Sequence, residues 1–376
     1  MVKSLRITCV IGSLQSGGAE RSMVRLTEML TGLGHQVTLL TLAPTAGDHF
    51  PVSDEVVRVV APPQVAQDCR WYNWGCWRKK FQALREAIEA TRPQLVISYL
   101  DTLNIMVLLS MRGSRIPVVV SERTDPRQHF IKARWKFLRK FLYPKADCVV
   151  MVARESLDWA KTQWPTWPAV SIPNPVVPLA PSPGAVRPEW FGEHNLIAMG
   201  RLGPEKGFDL LLDAFSPLAP EYPGWHLTIL GEGPERESLS QKTNRMGISR
   251  QVHLPGQVKN PQDFLPFADI YVLSSRYEGF PNALAEAMAC GLPAVSFDCE
   301  SGPSQIIRHE VDGLLVPPQN VAALRQALEK LMGDPLLRNS FGAKAPDILR
   351  RYNPQTIAAL WRQMIDTLNV HPTGSR

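Results

Sequence analysis

The sequence predicts an α/β protein of two parallel-sheet domains. Three observations carry that expectation. Short apolar runs of strand length alternate with helical patterns along most of the chain. Several of those runs end in a glycine turn that opens a helix. A proline-rich stretch at residues 164–188, W-P-T-W-P-A-V-S-I-P-N-P-V-V-P-L-A-P-S-P-G-A-V-R-P, divides the alternation in two. The 376 residues are chain enough for two cores. The expected division is a first domain over residues 1–170, a linker over 171–190 and a second domain over 191–353. A last helix over 354–369 and a tail over 370–376, expected to be disordered, complete the chain.

In the first domain, residues 5–14 read as a buried strand that runs into Q-S-G-G-A-E-R and a helix over about residues 19–34. Strand, glycine pair and helix let backbone N–H groups approach a phosphate, which makes Gly17 and Gly18 donor-binding candidates. The pair does not fit G-x-G-x-x-G, so a dinucleotide is a poor reading. Further strands are expected at residues 35–42, 56–60, 94–100, 117–121 and 148–153. Parallel sheets bind ligands at their carboxyl edges. The polar candidates there are Ser13, Tyr99, Asp101, Asn104, Glu122, Arg123 and Asp125.

In the second domain, a strand over residues 196–200 leads into G-R-L-G-P-E-K-G and a helix over about 208–218. Arg201 and Lys206 stand at the strand end, where one fork and one point charge can neutralise a diphosphate. A strand over 226–231 ends in G-E-G-P, bringing Gly231 to the same kind of edge. A strand over 252–255 precedes G-Q-V-K-N, which contains Val258. The run D-I-Y-V-L-S-S at 269–275 is a buried strand that feeds R-Y-E-G-F-P-N-A-L-A-E-A-M-A-C-G-L-P at 276–293. Pro281 and Asn282 mark a helix start there, and Gly291 and Pro293 mark its end. Glu278 precedes that helix and Glu286 lies about one turn inside it. The first-turn amides of Phe280, Pro281, Asn282, Ala283 and Leu284, less the proline's, make an anion site between the two carboxylates. A ligand with a diphosphate in the middle and a polar group at each end fits that order, as a nucleotide-sugar does. Strands at 294–298 and 312–317, with a short helix from S-G-P-S between them, finish the sheet.

The net charge of +6 is unevenly placed, at +9 over residues 1–170 and −3 over 171–376. Two stretches supply the excess. Residues 128–146, Q-H-F-I-K-A-R-W-K-F-L-R-K-F-L-Y-P-K-A, contain no acid. At helical spacing Ile131, Trp135, Leu138 and Leu142 form an apolar stripe, and Lys132, Lys136, Arg139 and Lys140 a basic one. Residues 70–81, R-W-Y-N-W-G-C-W-R-K-K-F, combine three Trp with three consecutive cations. Such segments suit an anionic bilayer interface, or a helix packed on the sheet with a solvated basic face. No nucleic-acid motif accompanies them. No run approaches 18 apolar residues, and the N-terminus does not read as a signal peptide. The six cysteines contain no C-x-x-C pair and are expected to be reduced thiols in a cytosolic compartment.

Two Glu separated by seven intervening residues in E-G-F-P-N-A-L-A-E-A-M-A-C-G-L-P resemble the signature of the retaining glycosyltransferases of family 4. That resemblance implies a GT-B fold, with two Rossmann-like parallel-sheet domains facing each other across a cleft. It implies that Glu278 faces the donor sugar and Glu286 binds the ribose. Arg201 and Lys206 neutralise the leaving diphosphate without a metal or cofactor. The G-G-A-E-R turn lies near the donor phosphates, and backbone at Val258 reads the base edge. P-N-P-V at 173–176 resembles the family's crossover, and the last helix returns to the first domain. Many members carry a His after the fifth strand, where Arg123 stands here. The S-E-R-x-D-P form resembles a subgroup that builds surface polysaccharides and lipid-linked glycans. Glu122, Arg123 and Asn104 are then the acceptor-side candidates. His129, nearby, reads as structural.

The expected activity is transfer of a hexosyl or N-acetylhexosaminyl group from a nucleotide-sugar, UDP-linked by first choice. The expected acceptor is a saccharide or polyprenyl-linked saccharide, and the expected location is the cytoplasmic face of the inner membrane. Two other readings stand beside it. An epimerase of the same architecture isomerises the donor alone, and a non-catalytic sugar-binding protein at the membrane turns nothing over.

Overall fold

The computed structural model describes residues 4–15, 17–66, 68–69, 73–368 and 370. Two compact units divide the chain, residues 1–175 with 354–376 and residues 176–353. The tail expected to be disordered, 371–376, lies outside the described residues, as do Arg70, Trp71 and Tyr72 of the Trp-rich stretch.

The first unit holds seven strands: β1 (Arg6–Ile11), β2 (Gln36–Thr41), β3 (Val57–Val60), β4 (Leu95–Tyr99), β5 (Val118–Glu122), β6 (Cys148–Met151) and β7 (Ala169–Ser171). Their order is β3-β2-β1-β4-β5-β6-β7, and every pairing is parallel. Such a sheet needs helices on both faces, and two apolar clusters supply them. One packs the helices Trp74–Ala90 and Asp101–Ser110 against Val96, Val120 and Val149. The other packs the helix Gly18–Gly32 and the final helix Pro354–Thr367 against Ile7, Cys9 and Ile97. Ile357, Trp361, Met364 and Ile365 are the buried stripe of that last helix. Strand β7 was not expected, because its three residues sit inside the proline-rich run.

The second unit holds β8 (His194–Met199), β9 (Trp225–Leu230), β10 (Val252–Gly256), β11 (Ile270–Leu273), β12 (Ala294–Phe297) and β13 (Gly313–Val316). Their order is β10-β9-β8-β11-β12-β13, again all parallel. In both units the order reverses once, between β1 and β4 and between β8 and β11. Those two switch points are where loops from opposite directions part and leave room for a ligand.

Two expectations are corrected. Cys69 and Cys76 form a disulfide, so four cysteines, not six, are free. The side chain of Asn73 caps the helix Trp74–Ala90 by accepting from the Cys76 amide at 3.0 Å. The two Cα atoms lie 5.7 Å apart, inside disulfide range. Thiol titration of the denatured, unreduced chain should count four thiols, rising to six after reduction. Six without reductant would dismiss the pairing.

The basic segment is corrected as well. Its helix covers only Ala133–Leu142, and Arg139 is 1% exposed rather than on the outer stripe. The outward face instead carries Lys136, Phe137, Lys140 and Phe141, with both phenylalanines more than half exposed. Lys80 of the R-K-K run is likewise buried. Among the described residues no helix is long and apolar enough to cross a membrane.

Candidate active site

The second unit gathers its functional side chains at the switch point between β8 and β11. The loop after β8 makes a 3-10 turn at Pro204–Lys206 before the helix Phe208–Phe215. Gly207 joins the two at φ +60°, and a Cβ there would collide with the Ser274 carbonyl oxygen. Only glycine lets this loop lie so close to the end of β11. Four further bonds fasten it. The Ser274 hydroxyl donates to the Lys206 carbonyl at 2.9 Å, the Arg276 amide donates to the Glu205 carbonyl at 2.8 Å, and Arg276 clamps Asp209 with two bonds of 2.8 and 2.7 Å.

That fastening brings Lys206 to Glu278. The Lys206 ammonium lies 2.7 Å from Glu278 Oε1, and the Ser275 hydroxyl donates to the same oxygen at 2.6 Å. Ser301 donates to the Glu278 carbonyl, which ties the loop down from behind. Burial pulls the Lys206 pKa down, but Glu278 and then Glu205 outweigh it, and the net shift is upward. The lysine is therefore a fixed positive charge. Arg201 is exposed on the same loop and has no carboxylate partner among the described residues.

The helix after Glu278 runs Asn282–Ala289, close to its expected span. Its N-cap is Pro281, and no side chain caps it, so no side chain competes for the first-turn amides. Phe280, Pro281 and Leu284 are buried, Asn282 and Ala283 half-buried. The Phe280 ring meets Tyr352 edge-on at 5.4 Å. Glu286 is buried inside the helix. Burial, then the neighbouring Glu278 and Glu286 carboxylates, push the Tyr271 phenol above its ordinary value. Gly231, at the end of β9, has φ +147°, and a Cβ there would strike the Gly200 carbonyl. Val258 is half-buried in the loop after β10. Loops from β8, β9, β10 and β11 thus meet at one edge of one sheet.

In the first unit, Gly17 is the extended N-cap of the helix Gly18–Gly32, again without a side-chain cap. The acceptor-side candidates are all buried. Asn104 donates to the Ser121 carbonyl at 2.9 Å and to the Tyr143 hydroxyl at 3.2 Å. Glu122 accepts from the Tyr143 hydroxyl at 2.5 Å and from Arg139 at 3.4 Å. Arg123 lies over the Tyr99 ring and donates to Ser22 and Asn174. It thereby ties the end of β5 to the first helix and to the P-N-P crossover. Asp125 is taken up by Arg127 at 2.9 Å. His129 is not on a helix; it stands 3.3 Å from Asp101.

Sequence reading missed Ser275, Ser301, Tyr271 and the Asp209–Arg276 clamp around the donor loop. It also missed Ser22 and Asn174 around Arg123. Except for Ser275, which bonds Glu278 three residues on, no local pattern marks the bonded ones, because their partners are far along the chain, as with Asp209 and Arg276.

Residues 16–178 match the family model described as Glycosyltransferase Family 4, and residues 191–347 match Glycosyl transferases group 1. The chain is 33% identical over 232 residues to an exopolysaccharide phosphotransferase of Streptomyces coelicolor, covering 60% of this chain but only 24% of that one. It is 27% identical over 364 residues to the GalNAc-alpha-(1->4)-GalNAc-alpha-(1->3)-diNAcBac-PP-undecaprenol alpha-1,4-N-acetyl-D-galactosaminyltransferase of Campylobacter jejuni, covering 96% of this chain and 98% of the relative. The crystal structure of Anabaena HepE in complex with UDP and glucose superposes with a TM-score of 0.76 at 18% identity, covering 97% of this chain and all of that one.

Proposed function

This chain belongs to the family 4 glycosyltransferases and has their GT-B fold, and from that premise we propose that it moves a sugar from UDP to a lipid-linked saccharide. One observation carries the reading. A lysine held charged, 2.7 Å from a buried glutamate, stands at the switch point beside an uncapped helix start. Charge that develops on a leaving diphosphate meets cations and dipoles already in place. Arg201 and Lys206 supply the cations, and the start of the helix, through the amides of Phe280, Ala283 and Leu284, supplies the dipoles. Glu278 orients the sugar hydroxyls, Glu286 holds the ribose, and backbone at Gly231 and Val258 lines the nucleotide.

Two cations in this role make a metal unnecessary for the leaving group. Retention of anomeric configuration follows the signature's family, and the transferred group is a hexose or N-acetylhexosamine. Glu122 and Arg123 are buried and bonded inside their own unit, and Asn104 is anchored there through its amide nitrogen, so they position the acceptor surface rather than touch the acceptor. The lipid-linked acceptor is suggested by the Campylobacter relative's substrate. Peripheral attachment to the membrane's inner face goes with an acceptor of that kind.

Thermal shift across nucleotide-sugars tests the donor. A UDP-sugar at about a hundred times its Kd should stabilise the fold by about 2.7 kcal/mol. ADP- or GDP-sugars should not. A preference for either would replace the UDP reading. Incubation with donor alone should leave it unisomerised, and an epimerised sugar would favour the epimerase reading.

A further inference from the structure

Tyr271 is a fully buried phenol inside the sheet of the second unit. On β11 it pairs with Ile197 of β8 on one side and with Ala294 of β12 on the other. Its hydroxyl makes no hydrogen bond among the described residues. Such a group is uncommon, because it gives up its bonds to water and gains none in return. Burial raises the phenol's pKa, the Glu278 and then the Glu286 carboxylates add to the rise, and the Met199 backbone opposes it. The oxygen therefore lies near the end of β8, at the switch point, within electrostatic reach of both carboxylates. We infer that Tyr271 is a positioning residue for the donor: its hydroxyl donates a hydrogen bond to the Glu286 carboxylate and holds it against the ribose of a bound nucleotide. This rests on the reading of Glu286 as the ribose ligand.

The pleat fixes which way the ring faces. Ile270 and Val272, its neighbours on the strand, belong to the apolar cluster built with the helices Phe208–Phe215 and Val321–Gly333. Successive side chains on a strand point to opposite faces, so Tyr271 points away from that cluster. The helix Asn282–Ala289 packs on β11, and its buried Leu284, Ala287 and Met288 are not part of the cluster either. The helix thus covers the face that Tyr271 occupies, and it carries Glu286, which is 3% exposed. Of the two carboxylates, Glu278 already holds Lys206 and Ser275 at Oε1. A glutamate has three side-chain torsions, and a bond from a ring locked in a strand fixes its far end where packing alone does not. The ribose takes no part in bond breaking. A bond that steadies its carboxylate acts alike on bound substrate and on the transition state, so it shows in KM rather than in kcat.

The test is Y271F, which keeps the ring and removes the hydroxyl. Without nucleotide it should melt no lower than the parent, because the interior loses an unpartnered polar atom. UDP should bind it about tenfold more weakly by calorimetry, the usual weight of a bond to a charged group. KM for the UDP-sugar should rise by about the same factor, with kcat within about twofold. E286A should lose UDP affinity as well, and Y271F/E286A should bind UDP no more weakly than E286A, since the hydroxyl acts only through that carboxylate. Undiminished UDP affinity in Y271F would overturn the inference and leave the rest of the site standing. A lower melting temperature with KM unchanged would overturn it as well, since that is the mark of packing alone. Losses that add in Y271F/E286A would do the same, by putting the hydroxyl on the ligand or elsewhere. Failure of the parent to bind UDP, or parental affinity in E286A, would strike down the reading of the site and this inference with it.

Discussion

Replacing Lys206 by alanine lowers kcat/KM for sugar transfer about 10²–10³-fold, the usual loss when one preorganised charge is taken from a developing anion. The ammonium is fixed 2.7 Å from Glu278 and carries no other side-chain bond shorter than that. Its loss removes stabilisation from the leaving diphosphate and leaves the Glu278 carboxylate with Ser275 as its one close side-chain donor among the described residues. Glu278→Ala should fall by a similar factor, because the lysine loses the carboxylate that holds it in place and the sugar loses an acceptor. Glu278→Gln keeps the shape and the Ser275 bond but not the charge, so it separates geometry from electrostatics. The K206A/E278A double variant should lose less than the product of the single losses, since the two groups touch and each single change already breaks the pair. Steady-state kinetics on variants that melt like the parent would decide. Unchanged turnover in either single variant removes both residues from the mechanism.

The parts of this site that lie close together in sequence were legible before the fold. Glu278, the helix start at Pro281 and Glu286 fall within one strand–loop–helix unit, and the spacing alone orders them. Arg201 and Lys206 follow from a glycine-bounded loop after an apolar strand. What the pattern did not carry is who touches whom across the sheet. The Ser274, Arg276 and Asp209 bonds that press the β8 loop against β11 join positions about 70 residues apart. The same limit explains Arg139. At helical spacing it shares a stripe with Lys132 and Lys136, and nothing in that stripe reveals a buried carboxylate on β5 waiting for it. The exposed Phe137 and Phe141 were hidden for the reverse reason, because an apolar residue in an amphipathic pattern reads as core by default. The disulfide escaped because a loop whose cysteines are seven apart matches no metal or redox spacing.

Arg139→Ala should cost about 3–5 kcal/mol of stability, the penalty for removing one member of a buried ion pair. Arg139 and Glu122 have side-chain exposures of 1% and 2%, and water cannot replace the guanidinium. The arginine also donates to the Pro126 carbonyl at 3.2 Å, so the loop that carries Asp125 and Arg127 loosens with it. Burial raises the Glu122 pKa, Arg139 opposes the rise, Asp101 adds to it, and the bond from Tyr143 again opposes it. A carboxyl whose folded pKa lies above its unfolded value of about 4.3 binds its proton more tightly in the folded state. Its contribution is therefore complete below that unfolded value and shrinks as pH rises through the folded one. Without Arg139 the folded value climbs further. The deficit of Arg139→Ala should accordingly be small near pH 4 and widen toward pH 7 in urea titrations. E122Q/R139M removes both charges and keeps an acceptor for the Tyr143 hydroxyl, and it should recover most of the loss at pH 7. A deficit that is the same at both pH values, or a double variant no better than Arg139→Ala, would show that Arg139 acts by filling space and not by its charge.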